Sequence, residues 1–222
     1  MFQPSTLTFL KNLKKNNNKV WFDQNKEKYL AARADFENVV KVLLEKMISS
    51  DPDLKDLEPK NCMFRINRDV RFSKNKTPYK INLSAVFAKG GKKSVNAGYY
   101  FHLQPGNASF AGGGLWMPEA ADLKKVRQEI DYNFPEFKKI ISATSFKKIY
   151  GELEREEGQV LVNIPKGYDK ENIAGEYLKL KSYVATQYLS DENLNDPNLA
   201  TNVAKSFKAL NPLLKFINRS FE

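Results

Sequence analysis

Residues 81–88 read INLSAVFA and residues 99–103 read YYFHL, and these two runs decide the fold of the chain. In both runs apolar residues alternate with polar or smaller ones, which is the two-residue period of a β-strand that has one face on a core. The sequence KGGKK at residues 89–93 lies between them and is typical of a turn. A short connection favours antiparallel pairing, so we predict a β-meander with one apolar face and one polar face.

Other runs with the same period extend this sheet. We predict strands at residues 62–67 and 109–115, which complete a central sheet within residues 60–116. Further extended segments are predicted at residues 160–164 and 180–188. The alternation predicts that one polar sheet face is shared by Arg65, Asn82, Ser84, Tyr100 and His102.

Helical periodicity marks both ends of the chain. Apolar residues recur at spacings of three, four and seven between residues 21 and 49, which predicts a long amphipathic helix. Further helices are predicted from Ser5, from Pro118, around Phe137, and over residues 198–218 with a break near Pro212. We therefore predict an α+β fold, in which an antiparallel or mixed central sheet has helices from both ends of the chain packed on one face.

The length and the composition fit one folded domain. A chain of 222 residues with 41% apolar residues can bury a substantial core. We predict a single domain over residues 1–222, with a helical part at 1–58, the central sheet at 60–116 and a helix-rich part at 118–222. The sequence shows no internal repeat and no low-complexity linker.

Some classes of protein are disfavoured by the composition. No run approaches the roughly 18 apolar residues that span a bilayer, so no membrane partner is expected. The first residues lead into a lysine-punctuated segment rather than a secretory signal, and we expect a cytoplasmic location. Cys62 is the only cysteine and His102 the only histidine, which excludes an internal disulfide and zinc sites made from several such residues. No metal site is predicted, and the sequence specifies neither a cofactor nor an oligomeric state.

Positive charge is concentrated in the middle of the chain. The formal net charge is +10, and residues 60–100 contain ten Lys and Arg residues against one acid, Asp69, a local excess of +9. A chain-wide lysine bias would indicate only solubility, whereas a local excess indicates an anionic partner. The alternative is that the lysines near residues 89–93 form only a solvated loop.

The strongest candidate site is residues 64–80, FRINRDVRFSKNKTPYK, which we call the basic segment. Guanidinium groups bind carboxylate or phosphate through paired hydrogen bonds, whereas lysines act as mobile point charges. An aspartate among the arginines can orient one of them, and a tyrosine after proline offers a hydroxyl on a rigid turn. The predicted ligand-binding residues of the segment are Arg65, Arg68, Asp69, Arg71, Lys76, Tyr79 and Lys80.

A second interpretation of the basic segment stays open. The arginines can instead form a surface ion-pair network, with their stems packed on Phe64 and Phe72. The two interpretations differ in what they require of single residues. If the segment is a ligand site, we expect Arg68 and Arg71 to matter for the ligand, and Phe64 and Phe72 to matter for folding.

The glycine-rich run AGGGLWMP at residues 111–118 is the second candidate. A strand that passes through glycines into the start of a helix exposes backbone amides and the positive end of the helix dipole, which suit an anion. Gly113 and Gly114 are therefore candidate ligand contacts. The alternative is that the glycines mark a bulge or close backbone packing.

His102 is the candidate catalytic residue, because its unperturbed pKa near neutrality suits general acid–base chemistry. Tyr100 lies on the same predicted face and is a candidate ligand contact. Ser84 can join them, although no Gly-x-Ser-x-Gly motif surrounds it. The alternative is that a lone histidine on a sheet is a hydrogen-bonded structural residue. The sequence does not decide whether the protein is an enzyme.

These motifs resemble those of a family of uncharacterised bacterial and fungal proteins, the domain of unknown function 2461. The similarity is carried by the pattern Phe-Arg, Arg-Asp-x-Arg-Phe, Lys and Pro-Tyr-Lys in the basic segment, and it covers nearly the whole chain. Further matching positions are Asn17, Asn18, Trp21, Phe22, Lys26, Tyr29, residues 99–103, residues 112–116, Pro118, Arg127, residues 165–168 and residues 180–182. One departure is Glu171-Asn172-Ile173, where the family has a stretch similar to Asp-His-Pro. The resemblance implies no assigned activity, and it strengthens the predicted fold and site position.

Three hypotheses of function follow. The first is binding, with or without turnover, of a small phosphate- or carboxylate-bearing ligand in a groove formed by the polar sheet face and the basic segment. The second is a nucleic-acid-binding module, which a pI near 9.4 and aromatic residues among basic ones allow. The third is a non-catalytic interaction domain whose basic patch meets an acidic protein partner.

Overall fold

The computed structural model describes all 222 residues and contains helices at both ends of the chain around one sheet. The first helices are α1 (Pro4–Lys15), α2 (Lys19–Gln24), α3 (Lys26–Met47) and α4 (Pro59–Cys62). The strands are β1 (Leu83–Phe87), β2 (Gly98–Leu103), β3 (Ser109–Leu115) and β4 (Tyr183–Leu189). The later helices are α5 (Ala120–Tyr132), α6 (Phe134–Ser142), α7 (Thr144–Tyr150), α8 (Gly175–Leu178), α9 (Asp191–Leu194) and α10 (Leu199–Asn218). Short 3₁₀ turns lie at Pro52–Leu54 and Arg219–Phe221.

The four strands form one antiparallel sheet in the order β1-β2-β3-β4. The predicted α+β class is thereby confirmed. Tyr100 pairs with Val86 of β1 and with Gly112 of β3. His102 pairs with Ser84 and Phe110 in the same way, so side chains of all three strands lie in rows across the sheet.

One face of this sheet carries the core. Tyr99 and Phe101 of β2 are almost completely buried. The ring of Phe101 stacks on Phe36 of α3 at 6.0 Å, and the ring of Tyr99 lies 5.1 Å from Phe207 of α10. Helices from both ends of the chain therefore pack on the same face, as the sequence predicts. Buried side chains from Phe2 to Ile217 form a single cluster of 49 residues.

The opposite face of the sheet, which we call the open face, carries the polar positions of the alternating runs. Ser84, Tyr100 and His102 lie there, as the two-residue period predicts. Asn82 precedes β1 and Arg65 lies outside every strand, so the alternation along the strands does not place these two residues on the open face. None of the helices combines the length and the apolar character that crossing a bilayer requires.

The prediction of a strand at residues 62–67 is wrong. Pro59 begins the short helix α4, and the chain after it makes only single bridges, of Met63 with Ala85 and of Asn67 with Tyr79. The backbone of this segment bonds first to β1, where the Phe64 amide donates to Ser84, and then to residues 78–80. A segment that changes its partner after each bond cannot form a ladder.

The later part of the chain differs from prediction in three places. The run predicted at 180–188 is β4, which pairs with β3, so the sheet extends beyond residues 60–116. The strand predicted at 160–164 is reduced to one bridge between Val160 and Leu180. Pro212 lies inside α10 without ending it. An internal proline costs about 3 kcal/mol, and the extensive burial of α10 offsets that cost.

Candidate functional site

The open face of the sheet forms a groove of about 720 Å³, which we call the open-face groove. This volume lies within the range of small-molecule binding sites, about 300–1,000 Å³. The groove runs from the β1–β2 connection to the chain beside β4. Its lining is Phe64, Val86, Ser94, Val95, Asn96, Gly98, Tyr100, His102, Phe110, Gly113, Gly114, Leu115, Trp116, Met117, Pro118, Glu119, Asp122, Glu154, Glu156, Val184, Thr186 and Tyr188.

Glycines form part of the groove floor. Gly98 of β2 pairs with Gly114 of β3, so no side chain covers the sheet at this point. Gly114 has φ +133°, and a Cβ there would lie 1.9 Å from the carbonyl oxygen of Tyr183 on the neighbouring strand. Only glycine fits this position, and the bare backbone leaves room for a ligand to approach the sheet closely.

The glycines do not form the predicted anion-binding turn. Gly113 and Gly114 lie inside β3 and pair with both β2 and β4, which confirms the predicted strand at 109–115. The following helix begins only at Ala120. The backbone amides of these glycines belong to the sheet, and close packing is the correct interpretation of the run.

Aromatic rings form the other half of the groove. His102 stacks on Phe110 with ring centres 4.6 Å apart and planes 9° from parallel. Tyr100 lies 5.7 Å from Phe110 and 6.2 Å from Phe64, and Tyr188 of β4 lies 6.0 Å from Phe110. The ring of Tyr188 is 71% exposed. This row of rings can accept a planar group by stacking.

One ring nitrogen of His102 has a hydrogen-bond partner, and the other has none. Nε2 lies 3.3 Å from Oε1 of Gln104, while Nδ1 is buried without any hydrogen-bond partner. Burial lowers the pKa of His102, the positive charge of Lys80 lowers it further, and the Gln104 contact opposes both effects. The imidazole is therefore neutral at pH 7, and a proton on Nε2 leaves Nδ1 as an acceptor.

Tyr100 stands next to this histidine with its hydroxyl still protonated. Burial raises the pKa of Tyr100, and the neighbouring Ser84 side chain offsets part of the rise. Ser84 is itself 4% exposed and does not line the groove. Ser84 and His102, which we expected to lie together, are paired neighbours on adjacent strands.

Within the basic segment, Arg68 and Lys76 hold the loop together. The Arg68 guanidinium donates to the carbonyl oxygen of Thr77 at 3.0 Å, to the Thr77 hydroxyl, and to the Ser73 hydroxyl at 3.3 Å. Lys76 Nζ donates to the carbonyl oxygen of Val70 at 3.0 Å. These donors are used inside the segment, and neither residue lines the groove.

Asp69 and Arg71 form an exposed ion pair. Arg71 donates through Nε at 3.0 Å and through Nη2 at 2.6 Å, which lowers the pKa of Asp69 and raises the pKa of Arg71. The Arg71 guanidinium also lies 5.9 Å from the ring centre of Phe72. Phe72 is 96% exposed, which argues against the expectation that it matters for folding. At these residues the surface ion-pair interpretation describes the geometry.

Tyr79 is a core residue. It is 6% exposed, and its ring stacks on Phe22 with centres 3.9 Å apart. The side chain of Asn17 bonds to both the amide and the carbonyl group of Tyr79, at 3.1 and 2.8 Å. This arrangement anchors the end of the basic segment to the helical N-terminal part of the chain, away from the groove.

Lys80 is the cation of the basic segment that borders the groove. Its Nζ lies 5.2 Å from the ring centre of Phe64, a groove residue, and its charge affects His102. Burial lowers the pKa of Lys80, and the nearby charge of Arg65 lowers it further. No carboxylate forms an ion pair with either Lys80 or Arg65.

The structure thus divides the predicted site residues. Four of them line the groove, namely Tyr100, His102, Gly113 and Gly114, and Lys80 borders it beside Arg65. The other predicted residues, Arg68, Asp69, Arg71, Lys76 and Tyr79, lie outside the lining.

Sequence reasoning missed several groove residues. Phe110 and Tyr188 occupy outward positions of predicted strands, so the alternation could have identified them. The acids Glu119, Asp122, Glu154 and Glu156 lie in connections or at the start of a helix and carry no such signal. No Lys or Arg residue lines the groove.

Comparison with known proteins assigns the chain to a family. The sequence model of a family described as conserved hypothetical protein, DUF2461, matches residues 5–216. Because the match covers nearly the whole chain, the protein belongs to this family. No curated protein and no solved structure matches the chain.

Proposed function

We propose that the open-face groove binds a small organic molecule that carries a planar ring and an anionic group, a phosphate or a carboxylate. The observation that carries this proposal is the row of partly exposed rings beside a floor of bare glycine backbone. A floor without side chains admits a flat group, and the adjoining rings stack against it.

Lys80 and Arg65 are the groups that hold the anionic part of the ligand. Lys80 lies against Phe64 at the aromatic end of the groove, and Arg65 is near enough for its charge to act on Lys80. No carboxylate lies within ion-pair distance of either residue, although the charge of Arg65 also acts on Asp69. A partly buried ammonium without a counter-ion is destabilised by its loss of water. An anion at this position offsets that cost through charge-assisted hydrogen bonds.

His102 contributes its ring to the groove. Nδ1 is buried without a hydrogen-bond partner, so a ligand in the groove contacts the ring rather than this nitrogen. The stacking of His102 on Phe110 keeps the ring in one orientation, so the aromatic surface is formed before the ligand arrives.

Nucleic acid is a less suitable ligand for the same face. Aromatic residues on a four-stranded sheet do stack bases in RNA-binding domains. However, four carboxylates and no Lys or Arg residue line this groove, and a phosphate backbone laid across it would be repelled. The acids restrict the site to a ligand whose single anionic group reaches the Lys80 end.

Trp116 offers a direct test, because it lines the groove and is 75% exposed. Trp21 is the only other tryptophan, and Trp21→Phe leaves Trp116 as the sole indole reporter. We expect phenyl phosphate to change the Trp116 emission in a saturable way, and uncharged benzyl alcohol to bind more weakly. Lys80→Met should weaken phenyl phosphate binding about tenfold, the effect of losing one charged hydrogen bond.

Lys74→Met is the matched control, since Lys74 is exposed on the same segment and lies outside the groove lining. It should leave the affinity unchanged. Equal losses in the Lys80 and Lys74 variants would mean that the ligand responds to the overall positive charge. A Trp116 signal that phenyl phosphate does not change would contradict binding of this ligand class in the groove.

A further inference from the structure

A second cleft lies away from the open face, between the end of α3, the β1–β2 connection, α6 and α10. Its volume is about 530 Å³, and it shares no lining residue with the open-face groove. Asp51 and Tyr99 lie in its wall, and we call it the Asp51 cleft. Apolar side chains form much of the remaining surface, including Leu54, Phe87, Ile140 and Phe216.

Asp51 belongs to a buried hydrogen-bond triangle. Its Oδ2 accepts from the Tyr99 hydroxyl at 2.8 Å and from Asn211 Nδ2 at 3.2 Å. Asn211 Nδ2 also lies 2.6 Å from the Tyr99 hydroxyl oxygen. Asp51 is 9% exposed, Tyr99 is 2% exposed and Asn211 is 9% exposed. Burial raises the pKa of Tyr99, so the phenol keeps its proton and donates.

The other carboxylate oxygen of Asp51 has no partner. Oδ1 accepts no hydrogen bond from the protein, and no Lys or Arg nitrogen lies within 4.0 Å of the carboxylate. Arg219, which lines the same cleft, is bound to Glu129 and Glu136. Lys89 and Lys215 also line the cleft, beyond ion-pair distance of Asp51.

The position of Asp51 at the end of a helix favours a cation beside its carboxylate. Asp51 follows the C-terminus of α3, and its amide donates to the carbonyl oxygen of Met47 in the last turn. The end of a helix carries partial negative charge, which disfavours a second negative group there and favours a cation. Buried carboxylates are ordinarily paired or fully hydrogen-bonded.

We propose that the Asp51 cleft binds a small molecule through a primary ammonium group, which donates to Oδ1 of Asp51. The ammonium group supplies the missing counter-ion, and the apolar wall accommodates an attached alkyl chain. The Tyr99 and Asn211 contacts fix the carboxylate through Oδ2 and leave Oδ1 directed to the ligand. Asp51 is the only buried acid in the chain, whereas a calcium ion requires about six to eight oxygen ligands.

An NMR titration of the whole protein with n-butylammonium chloride tests the proposal, with potassium chloride used to hold the ionic strength constant. We expect amide shifts at Leu54, Ala88 and Ala97, which lie in or beside the cleft. The neutral analogue n-butanol has the same alkyl chain and should cause much smaller shifts. Equal effects of the amine and the alcohol, or none from either, would overturn the proposal.

Two variants locate the contact. Asp51→Asn should lower the affinity for n-butylammonium by at least about tenfold, the effect of removing a charge-assisted hydrogen bond. Asp56→Asn is the matched control, because Asp56 is exposed on the same connection and lies outside the cleft lining. The affinity of this variant should stay within about twofold of wild type. A folded Asp51→Asn protein that binds as wild type does would refute the assignment.

A further variant keeps the test valid if Asp51→Asn fails to fold. Tyr99→Phe removes one donor to Oδ2 and retains the carboxylate, so n-butylammonium binding should persist. Loss of binding in folded Tyr99→Phe would place the essential contact on the phenol and overturn the role of Asp51. Circular dichroism melting curves establish which variants are folded.

Discussion

The basic segment and the open-face groove differ in how their polar groups find partners. In the segment, Arg68 donates to Thr77 and Ser73, and Arg71 pairs with Asp69. In the groove, Nδ1 of His102 has no partner, and Lys80 at its edge has no carboxylate. The richest concentration of charge in the sequence is therefore largely satisfied by itself. Groups that the fold leaves unsatisfied are the better guide to a binding site.

The largest expected contrast lies within the basic segment, between two of its aromatic residues. Tyr79 is buried against Phe22, whereas Phe72 is almost fully exposed. Tyr79→Ala should lower the free energy of unfolding by about 3 kcal/mol, the cost of truncating a large buried side chain. Phe72→Ala should change it by no more than about 0.5 kcal/mol. Urea denaturation monitored by circular dichroism measures both values.

A similar loss in both variants would mean that the loop around Phe72 packs against the protein in solution. The relative size of the two effects also shows which aromatic residue of the basic segment contributes to the stability of the fold. If Tyr79→Ala were neutral, the packing of the segment on α2 would be wrong.

The second contrast concerns two arginines that the sequence does not distinguish. Arg68 uses both ends of its guanidinium fork inside the loop, and lysine cannot reproduce that geometry. Arg68→Lys should lower the stability by about 1–2 kcal/mol, the value of losing hydrogen bonds to part-buried groups. Arg71→Lys keeps an exposed charge next to Asp69 and should leave the melting temperature unchanged. Thermal melts of the two variants, run side by side, give the comparison.

Equal melting temperatures for Arg68→Lys and Arg71→Lys would show that the Arg68 contacts do not stabilise the loop. The original ligand-site interpretation of Arg68 would then regain support. A larger loss in Arg71→Lys would mean that the exposed ion pair with Asp69 contributes more than its accessibility indicates.

The smallest expected effect is a pH dependence that originates in the groove. The folded pKa of His102 is lowered by burial, below the unfolded value of about 6.5. The neutral ring therefore stabilises the fold above the unfolded pKa, and this contribution is lost as the pH falls through the folded pKa. The urea midpoint should fall less between pH 7.5 and pH 5.0 in His102→Gln than in wild type. An identical fall in both proteins would mean that His102 is not the group responsible.

The strand faces could be predicted because they follow from local geometry. Successive side chains of a strand point to opposite faces, so the alternation placed Tyr99 and Phe101 in the core and Tyr100 and His102 opposite. The same rule misled at residues 62–67. There the alternation is present, but Pro59 starts a helix and no continuous partner strand follows.

The candidate site was less predictable, because its parts come from distant places in the chain. Phe110 and Tyr188 meet only through the pairing of β3 with β4. Asp51 carries no sequence signal beyond a turn before proline, yet it contacts Asn211 of α10. No local period reports such contacts, since each one depends on how separate elements pack.

Composition and periodicity were sufficient to establish the α+β class, the two faces of the sheet, and the place of the charge along the chain. They could not establish which charges are free. That depends on loop conformation and on long-range packing, which direct Arg68 back into its own loop and leave Lys80 beside the aromatic rings. A hydrogen bond requires atoms to meet within about 3 Å and at a suitable angle, and such proximity between remote residues is fixed only when the whole chain has folded.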